Sequence, residues 1–224
     1  MKTSNRLLLG TIAMLVFYVT VAFIELRIKG DYNRRTFNTD SVALPMYHHL
    51  VIEGLDQRVY IKPSESPMIT TRTVRENPMA ALDYALNGDT LIIHDLGLQS
   101  NDQGQFTIYS GAQLKSLTSV DSYFQLGEYE VDSLVIDQQG GRGSIYDMSG
   151  LDHLGLSVKR NAEFDVYNAR AGSVNLIIDH GNVEFRSPII SLRGSMKHNS
   201  YLSLQGVQNF AFKKDDSSRL RIFE

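Results

Sequence analysis

Cysteine is absent from the 224 residues of this chain, and that absence removes three possibilities at once. No disulfide supports the fold, no thiolate zinc site can form, and no lipidated cysteine can anchor it. Positive charge is not in excess either. Setting aside the first twenty-nine residues, which carry four basic and one acidic side chain, leaves 18 of the 22 basic residues and 24 of the 25 acidic ones, a net charge of −6. Nucleic acid is not expected as a partner, because affinity for it comes mainly from neutralised phosphates. Zinc-motif spacing is missing as well: His94, His153, His180 and His198 are dispersed along the chain. The adjacent pair His48 and His49 would point to opposite faces of a strand, so neither group predicts a metal site. Nor does a helical pattern follow Gly140-Gly-Arg-Gly143, which a phosphate-cradling loop requires.

What the chain does have is a repeat of about twenty residues, the mark of a stacked architecture. One column begins at Val131, Leu151 and Ala171, with apolar residues returning at Leu134, Leu154 and Val174 and again at Ile136, Leu156 and Leu176. A second column runs through Ile145, Phe164, Val183 and Leu202. Alternate strand residues face opposite ways. These four would therefore stack inside while Tyr146, Asp165, Glu184 and Ser203 face water, with Asp147 alone breaking the pattern. Leucine-rich repeats use the same opening spacing, but their next signature position holds Gln139, Lys159 and Asp179 here instead of Asn or Cys. Two strands per coil fit better. With weaker copies at Leu114–Leu117 and Phe124–Leu126, the pattern predicts an all-β parallel β-helix or solenoid of about five coils. Gly140, Gly141, Gly143, Gly150, Gly155, Gly172 and Gly181 fall between the columns and read as corner residues.

The amino end is of another kind. Leu7 to Ile24 holds no charge, and at 1.5 Å per residue it covers roughly 27 Å, close to the hydrocarbon thickness of a bilayer. A bulky Phe23 stands where signal cleavage wants a small residue, so the expectation is an uncleaved transmembrane helix that partners the lipid bilayer through Leu7 to Ile24. Lys2 and Arg6 precede it, and Arg27, Lys29, Arg34 and Arg35 follow it. Taken alone, that count favours a cytoplasmic carboxyl end.

Three regions result: an anchor with short flanks at 1–28, a polar linker at 29–49, and a solenoid domain at 50–224. The last opens with short strands at Val51–Glu53 and Val59–Ile61. Tyr84–Leu86 and Leu91–Ile93 flank Asn87-Gly-Asp89, a hairpin signal, and Met79 to Leu86 offers a short helix as the competing reading. Lys213 to Arg221 reads as a charged tail capping one end of the stack.

In this order of elements, Val51-Ile-Glu-Gly54, Val59-Tyr-Ile61, Leu86 to Ile93 and the Leu134, Leu154 and Val174 coils, the chain resembles the bacterial head GIN domain family, an adhesin-type domain, from about Leu50 to Phe223. The corners differ, since family members show Gly-Ser-Gly where this chain has Gln139-Gly-Gly, Lys159-Arg-Asn and Asp179-His-Gly. The resemblance implies an exported cell-envelope β-solenoid without catalysis. It also tips the orientation toward a periplasmic carboxyl-terminal domain, so that with the Leu7 to Ile24 span the expectation is a single-pass inner-membrane protein, with an envelope protein or saccharide as a possible ligand.

For chemistry, Asp165 and Glu184 would lie about 4.8 Å apart on neighbouring coils, with Glu163 nearby. Such carboxylates could bind Ca²⁺ or cleave a saccharide, and a solvated acidic face is the plainer reading. Tyr123, Tyr129, Tyr146, Tyr167 and Tyr201 suggest an aromatic strip. No catalytic, cofactor-binding or metal residue and no cofactor is assigned. The expected function is a noncatalytic, membrane-tethered envelope module for binding or adhesion, with a polysaccharide-acting β-helix enzyme or a cytoplasmic bactofilin-like scaffold as alternatives.

Overall fold

The computed structural model describes residues 3–32, 38–73, 82–96 and 105–223. Two compact units divide the chain, Met1–Phe37 and Asn38–Glu224.

The first unit is the helix α1, Thr3–Tyr32. Ile12, Met14, Leu15, Phe17, Val21, Phe23 and Ile24 are all exposed, and at 100° per residue they surround the axis rather than forming one stripe. Among the described residues no helix is long and apolar enough to cross a membrane. Described side chains of α1 begin at Gly10, which leaves Leu7, Leu8 and Leu9 of the expected span outside them.

The second unit is built of strands alone among its described elements. β8 (Ser116–Gly127) and β9 (Ser133–Tyr146) each pass through two sheet faces, bending at Asp121 and at Gly140–Gly141, where φ is positive. Beyond them the faces are separate strands: β10 (His153–Lys159) with β11 (Glu163–Tyr167), β12 (Ala171–Asp179) with β13 (Asn182–Phe185), β14 (Ile189–Lys197) with β15 (Tyr201–Gln205), and β16 (Val207–Lys214) with β17 (Arg219–Phe223). Each pairs in parallel with its counterpart one turn on. This is a β-solenoid of six successive turns, where the sequence suggests about five. The sixth, β16 with β17, takes in the Lys213 to Arg221 segment read as a charged cap. Its apolar residues Phe210, Phe212, Leu220 and Ile222 are only partly buried, and Leu220 and Ile222 alternate with Arg219 and Arg221, which hides the strand pattern.

The chain does not lay its first turns in order. β2 (His49–Glu53) and β3 (Arg58–Ser64) stack against the two halves of β8. β6 (Thr90–Asp95) and β7 (Gln105–Gly111) then pair on the far side of β2 and β3. Antiparallel strands close that end: β4 (Met68–Thr73) on β7, β1 (Asn38–Ala43) on β4, and β5 (Asp83–Asn87) on β6. The last pair is the expected hairpin, turning at Gly88 with φ 64°. Strand β5 replaces the alternative helix over Asp83 to Leu86, and residues 79–81 lie outside the described residues. The linker reading of 29–49 is overturned from Asn38 onward. β1 is a paired strand there, and Leu44 and Tyr47 are buried.

Inside the stack, Leu134, Leu154, Val174 and Leu192 form one row in register, with Ile136, Leu156 and Leu176 beside it. On the second face the register differs from the sequence reading. Ile145 pairs with Val166, and Phe164 pairs with Gly143 and Val183. Asp147 therefore breaks no inward row; it sits at the next corner, φ 49°, where the Asn168 amide donates to its carboxylate. Gly143 is likewise an inward core position rather than a corner. Each fully buried Leu, Ile, Val or Phe contributes about 1.5–3 kcal/mol, so these rows dominate the stability.

Candidate binding face and corner cluster

Outward residues of the second face form three rows, one residue per turn. The first holds Arg58, Tyr123, Arg142, Glu163, Asn182 and Tyr201. Gln125, Ser144, Asp165, Glu184 and Ser203 make the second. Tyr146, Tyr167 and Arg186 lie in the third, where the Tyr146 ring covers Gly127 closely enough that no Cβ fits there.

Asp165 does not stand in water as the alternation suggests. Its side chain is only 9% exposed, and Arg142 Nη2 donates to its Oδ2 at 2.7 Å. The other guanidinium nitrogen of Arg142 lies 3.5 Å from Glu163. Arg186 donates to Glu184 at 2.8 Å and lies over the Tyr167 ring, 4.9 Å from its centre. Both candidate acids are thus paired with guanidinium groups. The Asp165 hydrogen bond holds Arg142 more firmly protonated. Burial, with the Asp165 charge next, raises the Tyr167 hydroxyl above its ordinary value.

Two adjoining hollows lie on this face, sharing Arg142 and Asp165. One, of about 190 Å³, is lined by Arg58, Tyr123, Gln125 and Tyr167 besides. The other, of about 290 Å³, is lined by Glu163, Asn182, Glu184 and Tyr201. Tyr123, Tyr146, Tyr167 and Tyr201 of the expected aromatic strip are present on the face. Tyr129 is not, being buried with its hydroxyl 2.5 Å from Ser110 Oγ.

The histidines are less scattered in space than in sequence. His48 and His49 approach Asp89 at 3.8 and 3.6 Å, and His49 Nδ1 lies 2.6 Å from Ser116 Oγ. His94 meets Glu53 and His153 meets Ser173. His180 and His198 come together at one corner with Asp179, their rings stacked with centroids 4.9 Å apart. Zinc-motif spacing could not reveal this, because the pair becomes adjacent only through the length of a turn.

No family profile and no curated protein matches the sequence. Several solved structures align over 84% of this chain. A provisionally named adhesin from Bacteroides fragilis gives a TM-score of 0.59 at 13% identity, with 97% of its own chain covered. A provisionally named lipid-binding protein from Parabacteroides distasonis gives 0.53 at 14%, also with 97% covered. A provisionally named adhesin from the same organism gives 0.51 at 12%, with 94% covered. At such identities the likeness is one of fold.

Proposed function

We propose that this chain is a noncatalytic binding module of a bacterial cell envelope, of the head GIN kind, that presents the outer face of β8, β9, β11, β13 and β15 to a saccharide or protein. The observation that carries the reading is the Arg142–Asp165 and Arg186–Glu184 pairing beside exposed Tyr123 and half-buried Tyr167 and Tyr201. Ion pairs of this type hold flat, polar side chains in a fixed geometry from which they hydrogen-bond to a ligand. The adhesin names of two fold neighbours agree with it.

In this proposal Leu7 to Ile24 tethers the module in the membrane with its carboxyl end outside. Its support is the uncharged run and the apolar side chains around the whole circumference of α1. A reporter fused after Glu224 that is active only outside the cytoplasmic membrane is the expected result, and activity only inside would overturn the orientation. For the face, the full chain is incubated with envelope polysaccharides in affinity electrophoresis. Retardation that is lost in Tyr123→Ala, Arg142→Ala supports the proposal, and new reducing ends that vanish in Asp165→Ala, Glu184→Ala would replace it with an enzyme.

A further inference from the structure

At the corner between the two faces the chain must take left-handed backbone conformations. On the earlier turns this corner carries Asp121, Gly140 with Gly141, and Arg160 with Asn161; on the next two it carries His180, φ 52°, and His198, φ 59°. Non-glycine residues rarely adopt this region. Two imidazoles are thereby projected in the same direction from successive turns, and their rings stack with 19° between planes.

Asp179, the last residue of β12, completes the group. Its Oδ1 lies 2.6 Å from His198 Nδ1 and 3.3 Å from His180 Nδ1. One ligand atom from each of the three residues lies within 4.8 Å of the other two. Lys197 Nζ, at 3.1 Å, binds the other carboxylate oxygen and so turns Oδ1 toward the rings. His198 is fixed in turn, since its backbone N–H donates to Asp215 at 2.7 Å, and Asp215 also accepts from Ser217 and Ser218. Outer partners of this kind hold ligands in place in metal sites. Lys159 stands in register with Asp179 on the preceding turn but is committed to Asp137 at 3.4 Å.

We propose that Asp179, His180 and His198 bind one borderline divalent transition cation, Zn²⁺ or its neighbours Ni²⁺ and Cu²⁺. Two imidazoles and one carboxylate suit these ions, whereas Ca²⁺ and Mg²⁺ favour all-oxygen shells. Both rings are about half-exposed, so an ion reaches them from solution and water fills its remaining positions. The Lys197 charge opposes the ion and keeps the affinity moderate.

The test is calorimetric titration of the full chain in detergent with ZnCl₂ and with NiCl₂ in a non-coordinating buffer. Asparagine tolerates the left-handed region, so His180→Asn and His198→Asn keep the corner, which circular dichroism checks. One ion per chain is expected, with each variant weakening binding at least about tenfold. Lys197→Met should tighten it about three- to tenfold. His48→Asn, His49→Asn should leave it unchanged. Binding that survives in the His180→Asn, His198→Asn double variant, that disappears in the His48, His49 variant, or that Ca²⁺ matches would overturn the proposal, as would no heat from Zn²⁺ at millimolar concentration.

Discussion

Gly143 illustrates how a missing side chain organises this core. It lies inward between Phe124 and Phe164, whose rings meet edge to face with centroids 6.1 Å apart across it. A Cβ there would come within 2.7 Å of one ring and 2.8 Å of the other. Gly143→Ala is therefore expected to destabilise the domain by about 1–3 kcal/mol in urea unfolding, through overpacking; an unchanged midpoint would show that the rings yield. Asp165 behaves unlike a surface carboxylate because Arg142 covers it. Its double-mutant cycle with Arg142 should give a coupling of about 1–2 kcal/mol, between an exposed pair and a buried one. Coupling near zero would mean that the pair is no more than a surface contact. Asp137 supplies a pH dependence. Partial burial pushes its carboxyl up, but the Gln139 hydrogen bond and the nearby Lys159 charge outweigh that and hold it below the ordinary value. A depressed carboxyl stabilises the folded state above the unfolded value of about 4, and this contribution is lost as pH falls through the folded value. Melting temperatures of the parent and Asp137→Asn should differ at pH 7 and converge below about pH 4; a gap independent of pH would refute this.

At the level of elements, legibility followed the regularity of the period. Leu134, Leu154 and Val174 return every twenty residues and do pair in register. The second face slips by two residues between β9 and β11, because Gly143 leaves no apolar mark at the inward place and Ile145 looks like its occupant. Burial of Asp165 was unreadable for a similar reason, as its partner Arg142 belongs to the previous turn and an adjacent row. Nor could local pattern show that β2–β3 and β6–β7 stack in reverse order, since those contacts join segments up to 67 residues apart. The closing strand β4 has its own consequence. Ile69 is fully buried there, between β1 and β7, so Ile69→Lys should detach the closing strands and uncover the β7 edge. Light scattering coupled to gel filtration should then show larger species than the parent forms, and an unchanged mass with unchanged melting would contradict that role for β4.

For the solenoid unit as a whole, stability is distributed as in a one-dimensional stack, where each turn is held by its neighbours. The two ends differ. Antiparallel strands cover the β6–β7 end, whereas among the described residues β16 and β17 pair on one side only, and Phe210, Ile222 and Phe223 stay 41–46% exposed there. Interior turns such as β10–β11 and β12–β13 have a neighbour on both sides and carry inward residues at 2% exposure or less. Local opening requires the least free energy where few apolar contacts are lost, so the last turn should open before the others without unfolding the rest. Hydrogen exchange of the full chain should rank amide protection lowest in β16 and β17, rising through β14 and β15 to a maximum between β9 and β13. Phe164→Ala, removing about 3–5 kcal/mol of packing from the middle, should lower protection in the interior turns far more than in the last one. Equal protection along the stack, or equal losses at every turn, would mean that the domain opens only as one cooperative unit.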